Sequence, residues 1–427
     1  MSVTKMILAD SIKERKRLRL QVISPVHIGT REGKLIALEF AAYGGKVYII
    51  DENQFGSFLK RRNLIDYFVH DVSNGRLQMQ AFLKNTAKAD LSTVLPEISS
   101  QIIPSGSTDM ANMNEFRPCI RDANGQIFLP GTSLKGVFRT ALLYRMLTQG
   151  DNKQLAASIQ QKADSGLDGR LSDYQKKHYS SKWLQEDLLQ KFLLPKGKPG
   201  SYEDILRCLT VRDAYPEGEL ETQVIKLKFL SKGANGKHYF SQQKDGIGQP
   251  IGKDLELWVE AITAGTFSLE LTWDHTLYAK FKDHTPNLPL KDLQDLINAV
   301  DQFNNALLGN EEGFFRTVQP IVPKHITAKN FSRLSFSISQ ASQSAQSIGQ
   351  WYKTHKDTML RVGFGSGLLS TTVALAFNEE TRRKIRNACG HPRGNDPAPK
   401  SRRVWQKTDS QWLPMGWMTM KAEEEQK

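Results

Sequence analysis

The chain has 427 residues, enough for two or three domains with well-buried cores. Its 39% hydrophobic and 24% charged residues exclude wholesale disorder, and no apolar run approaches the ~18 residues of a membrane span. Lys and Arg number 58 against 45 Asp and Glu, a net charge of +13 that points to a polyanionic partner, either nucleic acid or an anionic membrane.

From the N-terminus, Leu18, Leu20 and Val22 alternate with Arg17, Arg19 and Gln21, the pattern of a half-buried strand with one basic face. Ser24-Pro25 ends it. A second strand is expected at Lys46–Ile50, and Asp51, with Gln54 three residues on, reads as a helix N-cap. Residues 84–117 carry Pro96, Pro104, Gly106 and many small polar residues, and read as a long, partly mobile insertion. Ile127–Leu129 is a short strand, Pro130-Gly131 a turn, and Thr132 or Ser133 caps a helix reaching about Leu147. Polar helical sequence fills residues 152–194. Strands resume at Leu209–Arg212, Gln223–Phe229 and Lys237–Ser241, the last two joined at a Gly233–Gly236 tip. Leu255–Ala261 and Phe267–Trp273 both alternate around Gly265 and read as a hairpin. Helices are expected at Leu290–Leu308 and Ala345–Lys356. A strand at Met359–Val362 leads into a Gly-rich turn and a short helix, and a last strand lies at Gly416–Met420. So many strand-to-strand connections favour an α+β fold with antiparallel sheets, split near residue 220 into two units.

The three cysteines, Cys119, Cys208 and Cys389, form no C-x-x-C pair, which argues against a zinc ribbon or a disulfide framework and for a reducing, cytoplasmic setting. Met1–Asp10 is too short and polar for a signal-peptide core. The positive charge is concentrated. Residues 382–407 hold nine cations, among them Arg402 and Arg403, against Asp396 as the lone acid. Gly390, Pro392, Gly394, Pro397 and Pro399 make the middle of this strap a loop suited to phosphates, or simply a solvated one. A further basic group, 176–198, is interrupted by acids. No amphipathic membrane helix competes for the charge.

Three motifs bear on chemistry. Ser24-Pro25-Val26-His27-Ile28-Gly29 leaves the first strand; His27 is either a hydrogen-bonded structural histidine or, beside Arg31, an RNA contact or general base. Leu129–Arg139 brings Thr132 and Ser133 to a helix N-terminus and Lys135 and Arg139 to one helical face, either a phosphate cradle or an ordinary capped helix. It lacks the Gly-Lys-Ser/Thr of a Walker A loop. Arg361–Ser370 places Gly363, Gly365 and Gly367 at alternate positions with Ser366 between the last two, either a close-approach loop for an anion or a tight turn. Leu368 stands where a dinucleotide-binding loop needs glycine. No carboxylate cluster has metal-ligand spacing, so no cofactor is expected. Asp213 reads as a turn or cap residue.

Taken in order, Ser-Pro-Val-His-Ile-Gly at 24–29, Leu-Pro-Gly-Thr-Ser-Leu-Lys-Gly-x-x-Arg at 129–139, Gly-Phe-Gly-Ser-Gly at 363–367 and Pro-Met-Gly-Trp at 414–417 resemble the RAMP superfamily of CRISPR proteins. His27 and the segment 361–370 most resemble the fifth Csm subunit of type III-A effector complexes. The resemblance implies two ferredoxin-like (RRM-related) domains, 1–220 and 221–427, with insertions near 84–117 and 152–200. It implies binding of crRNA through His27, Arg31, Thr132, Ser133, Lys135, Arg139, Arg361, Gly363, Gly365, Ser366, Gly367, Arg402 and Arg403. It also implies backbone Csm subunits as neighbours, target RNA met through the guide, a part in crRNA 3′-end maturation with host nucleases, and no membrane. Residues 84–117 would be a thumb-like element between guide and target. Backbone subunits of the superfamily that cut target RNA carry an aspartate after the first strand; residues 29–34 here hold none. The expected protein is therefore a non-catalytic subunit, the alternative being a metal-independent endoribonuclease with His27 as base.

Overall fold

Alternation at residues 17–22 puts Leu18, Leu20 and Val22 into the core and leaves Arg17, Arg19 and Gln21 exposed. The computed structural model describes residues 13–30, 33–76, 78–107, 113–149, 205–284, 290–316, 328–388 and 394–423 with the isolated positions 110, 157, 161 and 172; at 280–284, 328–339 and 388 it describes the backbone alone. The expected helix at 152–194 and the basic group at 176–198 therefore lie outside the described residues, as do Arg31 and 389–393.

The elements of the first part are β1 (Lys13–Val22), β2 (Leu35–Ile36), β3 (Phe40–Tyr43), β4 (Lys46–Ile50), α1 (Glu52–Arg61), α2 (Ile65–Ser73), α3 (Leu91–Glu97), β5 (Ser99–Pro104), β6 (Glu115–Phe116) and α4 (Gly131–Thr148). There follow β7 (Leu209–Val211), β8 (Tyr215–Pro216), β9 (Glu221–Lys232), β10 (His238–Phe240), β11 (Gln242–Lys244), β12 (Pro250–Asp254), β13 (Glu256–Ala264) and β14 (Thr266–Asp274). The last part holds α5 (His275–His284), α6 (Leu293–Phe315), α7 (Ala328–Thr354), β15 (Met359–Arg361), α8 (Leu368–Thr371), α9 (Glu379–Ala388), β16 (Ser401–Gln406), β17 (Trp412–Pro414) and β18 (Trp417–Ala422).

Two antiparallel sheets dominate a mixed α+β fold. One has the order β15-β18-β1-β14-β7, with β8 also on β14; the other runs β10-β9-β16-β17, with β13 also on β9. β1 lies between β14 and β18, so strands from both sides of residue 220 share one sheet and one core, and a cut there does not separate the sheets. Helices α4, α6 and α7 pack together over that core.

The expected hairpin around Gly265 does not form. β13 pairs with β9 and β14 pairs with β1, so Gly265 carries the chain from one sheet to the other. Its φ is +134°, and a Cβ there would meet Leu220 Cδ2 at 2.4 Å. Alternation tells which face is buried, not which strand is the partner.

Within 84–117 the described residues include α3, β5 and β6. Leu91, Val94, Leu95 and Ile98 are buried with Phe55, Phe58 and Phe82 in a satellite core, and β5 pairs with β4 in the sheet β3-β4-β5. Asp51 caps α1 as expected, accepting from the Asn53 and Gln54 amides at 3.0 and 2.9 Å.

Candidate nucleic-acid interface

Three of the sequence motifs meet at one end of the main sheet. After β1, Val26 exchanges backbone hydrogen bonds with Ile262, which turns His27 inward to 1% exposure. Its Nδ1 lies 2.7 Å from the Glu260 carbonyl oxygen. A carbonyl can only accept, so Nδ1 carries a proton. Burial pushes its pKa down to about 4, against the raising effect of that hydrogen bond and with a smaller push from Arg117. The structural alternative for His27 thus describes its surroundings: an internal ring facing Phe364 edge-on at 5.8 Å.

The His27 carbonyl accepts from the Phe364 amide at 2.7 Å. Gly363 has φ +82°, and a Cβ there would stand 2.4 Å from that same carbonyl oxygen, so only glycine admits the contact. The Pro-Met-Gly-Trp segment closes the knot. The Gly416 amide donates to Pro25 O, the Val362 amide to Gly416 O, and the Trp417 amide to Ser24 Oγ. Gly365 and Gly367 also have positive φ, and the Ser366 hydroxyl turns back onto Gly363 O at 2.7 Å. The glycines shape a hydrogen-bonded loop with Phe364 half-buried at its tip.

Arg361 and Arg402, expected to face phosphate, are core residues at 2% and 4% exposure. Both bind Glu311, itself 1% exposed: Arg402 Nε at 2.8 Å and Arg361 Nη1 at 3.2 Å. Burial pushes the Glu311 carboxyl up, but the charges and hydrogen bonds of Arg402 and Arg361 outweigh it and hold the group below its usual value. Arg361 also donates to Met415 O and Gly365 O, so this internal triad braces the glycine loop. These two cations are corrected from surface contacts to struts: the helix α6 presents a carboxylate where they arrive, and a buried charge needs such a partner.

Arg403 is half-buried beside the loop. Its guanidinium lies 4.7 Å from the Phe364 ring centroid and 5.2 Å from that of Phe229. Arg117 approaches the same Phe364 ring at 5.7 Å. The Nε atoms of both arginines are buried without a hydrogen-bond partner, and among the described residues no carboxylate pairs with either. Burial lowers the Arg403 pKa, and repulsion from Arg117 and Arg361 adds to it. Two cations held together over an aromatic ring, beside positive-φ glycine backbone, form a place where a phosphate and a stacked base can both be accommodated.

The fourth motif is partly taken up by the fold. α4 starts at Gly131, and no side chain of Thr132 or Ser133 caps it; the Gly131 amide donates instead to Asp213 Oδ1 at 2.6 Å. A carboxylate therefore already occupies the helix N-terminus. Lys135 Nζ donates to Leu209 O at 2.8 Å, Arg139 is engaged within the protein, and Thr132 is exposed. α4 packs against the 373–376 turn that follows the glycine loop. The described parts of the strap are tied into the fold. Arg382–Arg386 lie on α9, and Arg386 donates to the carbonyls of Gly394, Asp396 and Pro397, while Lys400 binds Asp396 at 2.5 Å.

Among the described residues no group of three or more His, Cys, Asp or Glu could hold a metal ion, and no helix is long and apolar enough to cross a membrane.

A protein of Methanocaldococcus jannaschii described as CRISPR system Cms protein Csm5 is 21% identical over 94% of this chain and 88% of its own length. A Streptococcus thermophilus protein of the same description is 31% identical over 30% of this chain and 37% of its own length. Among solved structures, a chain from the cryo-EM structure of a Csm–crRNA–target RNA ternary complex of a type III-A CRISPR-Cas system superposes with a TM-score of 0.60 at 20% identity, covering 96% of this chain and all of that one. The crystal structure of T. onnurineus Csm5 gives 0.58 at 20% identity over 94% and 99%. The RAMP superfamily model matches residues 19–370, from β1 to the end of the glycine loop and the turn that follows it, and the chain belongs to that superfamily.

Proposed function

We propose that this chain is a crRNA-binding subunit of a type III-A Csm effector complex, capping the assembly at the crRNA 3′ portion, supporting 3′-end maturation there and cutting no RNA itself. The observation that carries the reading is the pair Arg117 and Arg403, unpaired by any described carboxylate, over Phe364 on the glycine loop. The full-length likeness to Csm5 proteins supports the same assignment, and with it crRNA, the neighbouring backbone Csm subunits, target RNA through the guide, and recruited host nucleases as partners. Each of the two sheets is read as descended from a ferredoxin-like unit, and the setting as cytoplasmic.

The endoribonuclease alternative needs His27 to reach a ribose 2′-OH. A ring buried to 1% with its Nδ1 committed to the Glu260 carbonyl favours the non-catalytic reading. The test is an Arg117→Ala/Arg403→Ala variant titrated with single-stranded RNA at several salt concentrations. The affinity is expected to fall about tenfold or more, and the log–log salt slope to shrink by about 0.7 for each phosphate that the variant no longer neutralises. Unchanged affinity and slope would overturn the interface. Purified wild-type protein is expected to leave repeat RNA intact; cleavage abolished by His27→Ala would establish a nuclease instead.

A further inference from the structure

A second basic feature lies away from Phe364. A cleft of about 490 Å³ opens between the β9–β10 turn, helix α6, the start of α9 and the 395–399 loop. That size is in the range of small-ligand sites. Lys232, Arg382, Arg383 and Arg402 line it against one carboxylate, Glu379. Glu311 faces Arg402 from within the core and is shared with Arg361, so the cleft keeps an excess of at least two positive charges. Four of its lining positions are glycines, which leaves backbone open to close approach.

Internal bonding accounts for only part of these cations. Lys232 Nζ is taken up by the C-terminus of α6, donating to Phe314 O at 2.8 Å and to Gly313 O and Arg316 O at 3.4 Å. Arg382 gives Nη1 to Phe377 O, but its Nε is buried with no partner. Arg383 makes no ion pair among the described residues. Burial lowers the pKa of Lys232, and Arg402 and Arg316 press the same way while Glu379 opposes them. Burial lowers that of Arg382; Glu379 and Glu311 oppose the shift and Arg402 adds to it. Cations crowded together in this way favour a bound anion.

We propose that this cleft is a separate site for a phosphomonoester of mononucleotide size, whose two negative charges match the excess. The group can arrive as a free nucleotide or as the phosphorylated end of an RNA chain. The site does not depend on RNA binding at Phe364.

The full chain is titrated with AMP and with adenosine. AMP is expected to bind, and adenosine at least tenfold more weakly; equal binding, or no binding of AMP, overturns the proposal. Arg382→Gln/Arg383→Gln is expected to weaken AMP about tenfold or more while leaving single-stranded RNA binding at Phe364 unchanged. Should that variant fold poorly, Glu379→Gln serves, because removing the one lining carboxylate tightens AMP several-fold; an unchanged or weaker affinity overturns the site. Competition then separates the sources. If a short RNA with a 3′-phosphate displaces AMP and its 3′-hydroxyl twin does not, the site takes a chain end; if neither does, it takes a free nucleotide.

Discussion

Replacing Glu311 by Gln removes one negative charge from between two guanidiniums and changes little in volume. In the native protein Glu311 is 1% exposed and meets Arg402 Nε at 2.8 Å and Arg361 Nη1 at 3.2 Å. Neither arginine can turn to solvent, since they are 4% and 2% exposed and are also held by the carbonyls of Pro399 and Met415. Breaking a buried pair from one side leaves uncompensated charge and costs about 3–5 kcal/mol, and here two cations are stranded at once. Glu311→Gln is therefore expected to lose about 3–5 kcal/mol in urea unfolding. Because Arg361 braces Gly365 O, RNA affinity should fall in the same variant. A companion variant with methionine at 311, 361 and 402 removes all three charges together and should be less destabilised than Glu311→Gln. A loss below about 1 kcal/mol in Glu311→Gln, or a triple variant worse than the single one, would refute the account of the triad as mutually dependent charges.

Other outcomes follow from the same geometry. Gly363→Ala forces a side chain into the left-handed region and against His27 O, costing at least about 1–2 kcal/mol, whereas Gly136→Ala, with open space beside it on α4, should stabilise by about 0.5–1 kcal/mol; thermal unfolding compares them directly. Asp213→Ala deprives α4 of its cap and should cost about 1 kcal/mol in the same assay. The pKa of His27 in the fold, about 4, lies below its unfolded value near 6.5. Its contribution to stability is thus complete above pH 6.5 and is lost as pH falls towards 4, by at most about 3 kcal/mol. NMR should find the His27 ring neutral and Nδ1-protonated at about pH 5.5; an imidazolium there would contradict its burial.

Part of the candidate interface was legible because glycine and burial patterns are local. Alternation at 17–22 located the first strand and its faces, and the spacing of Gly363, Gly365 and Gly367 marked the loop. The rest depends on distant contacts. Arg117 gave no signal, since it lies in a stretch whose periodicity is interrupted by turns and short elements. Asp213 was readable as a cap, but not as the cap of a helix beginning 82 positions earlier in the chain. Glu311 did leave a trace. It falls in line with Leu307 and Phe315 on the apolar face of α6, and a carboxylate in that position requires a buried cation. Which cation it meets is decided by the return of β15 and β16, which no local pattern contains.

The placing of β1 between β14 and β18 has a bearing on synthesis. The first strand leaves the ribosome some 250 residues before its earlier neighbour and about 400 before its later one. Its hydrogen bonds on both edges wait until then, and contacts of such long separation close slowly. The knot at His27 needs Gly416 and Trp417 as well. The surface around Phe364 is thus completed only after Gly416 and Trp417 have been made, so a product terminated before them lacks the proposed RNA-contacting surface.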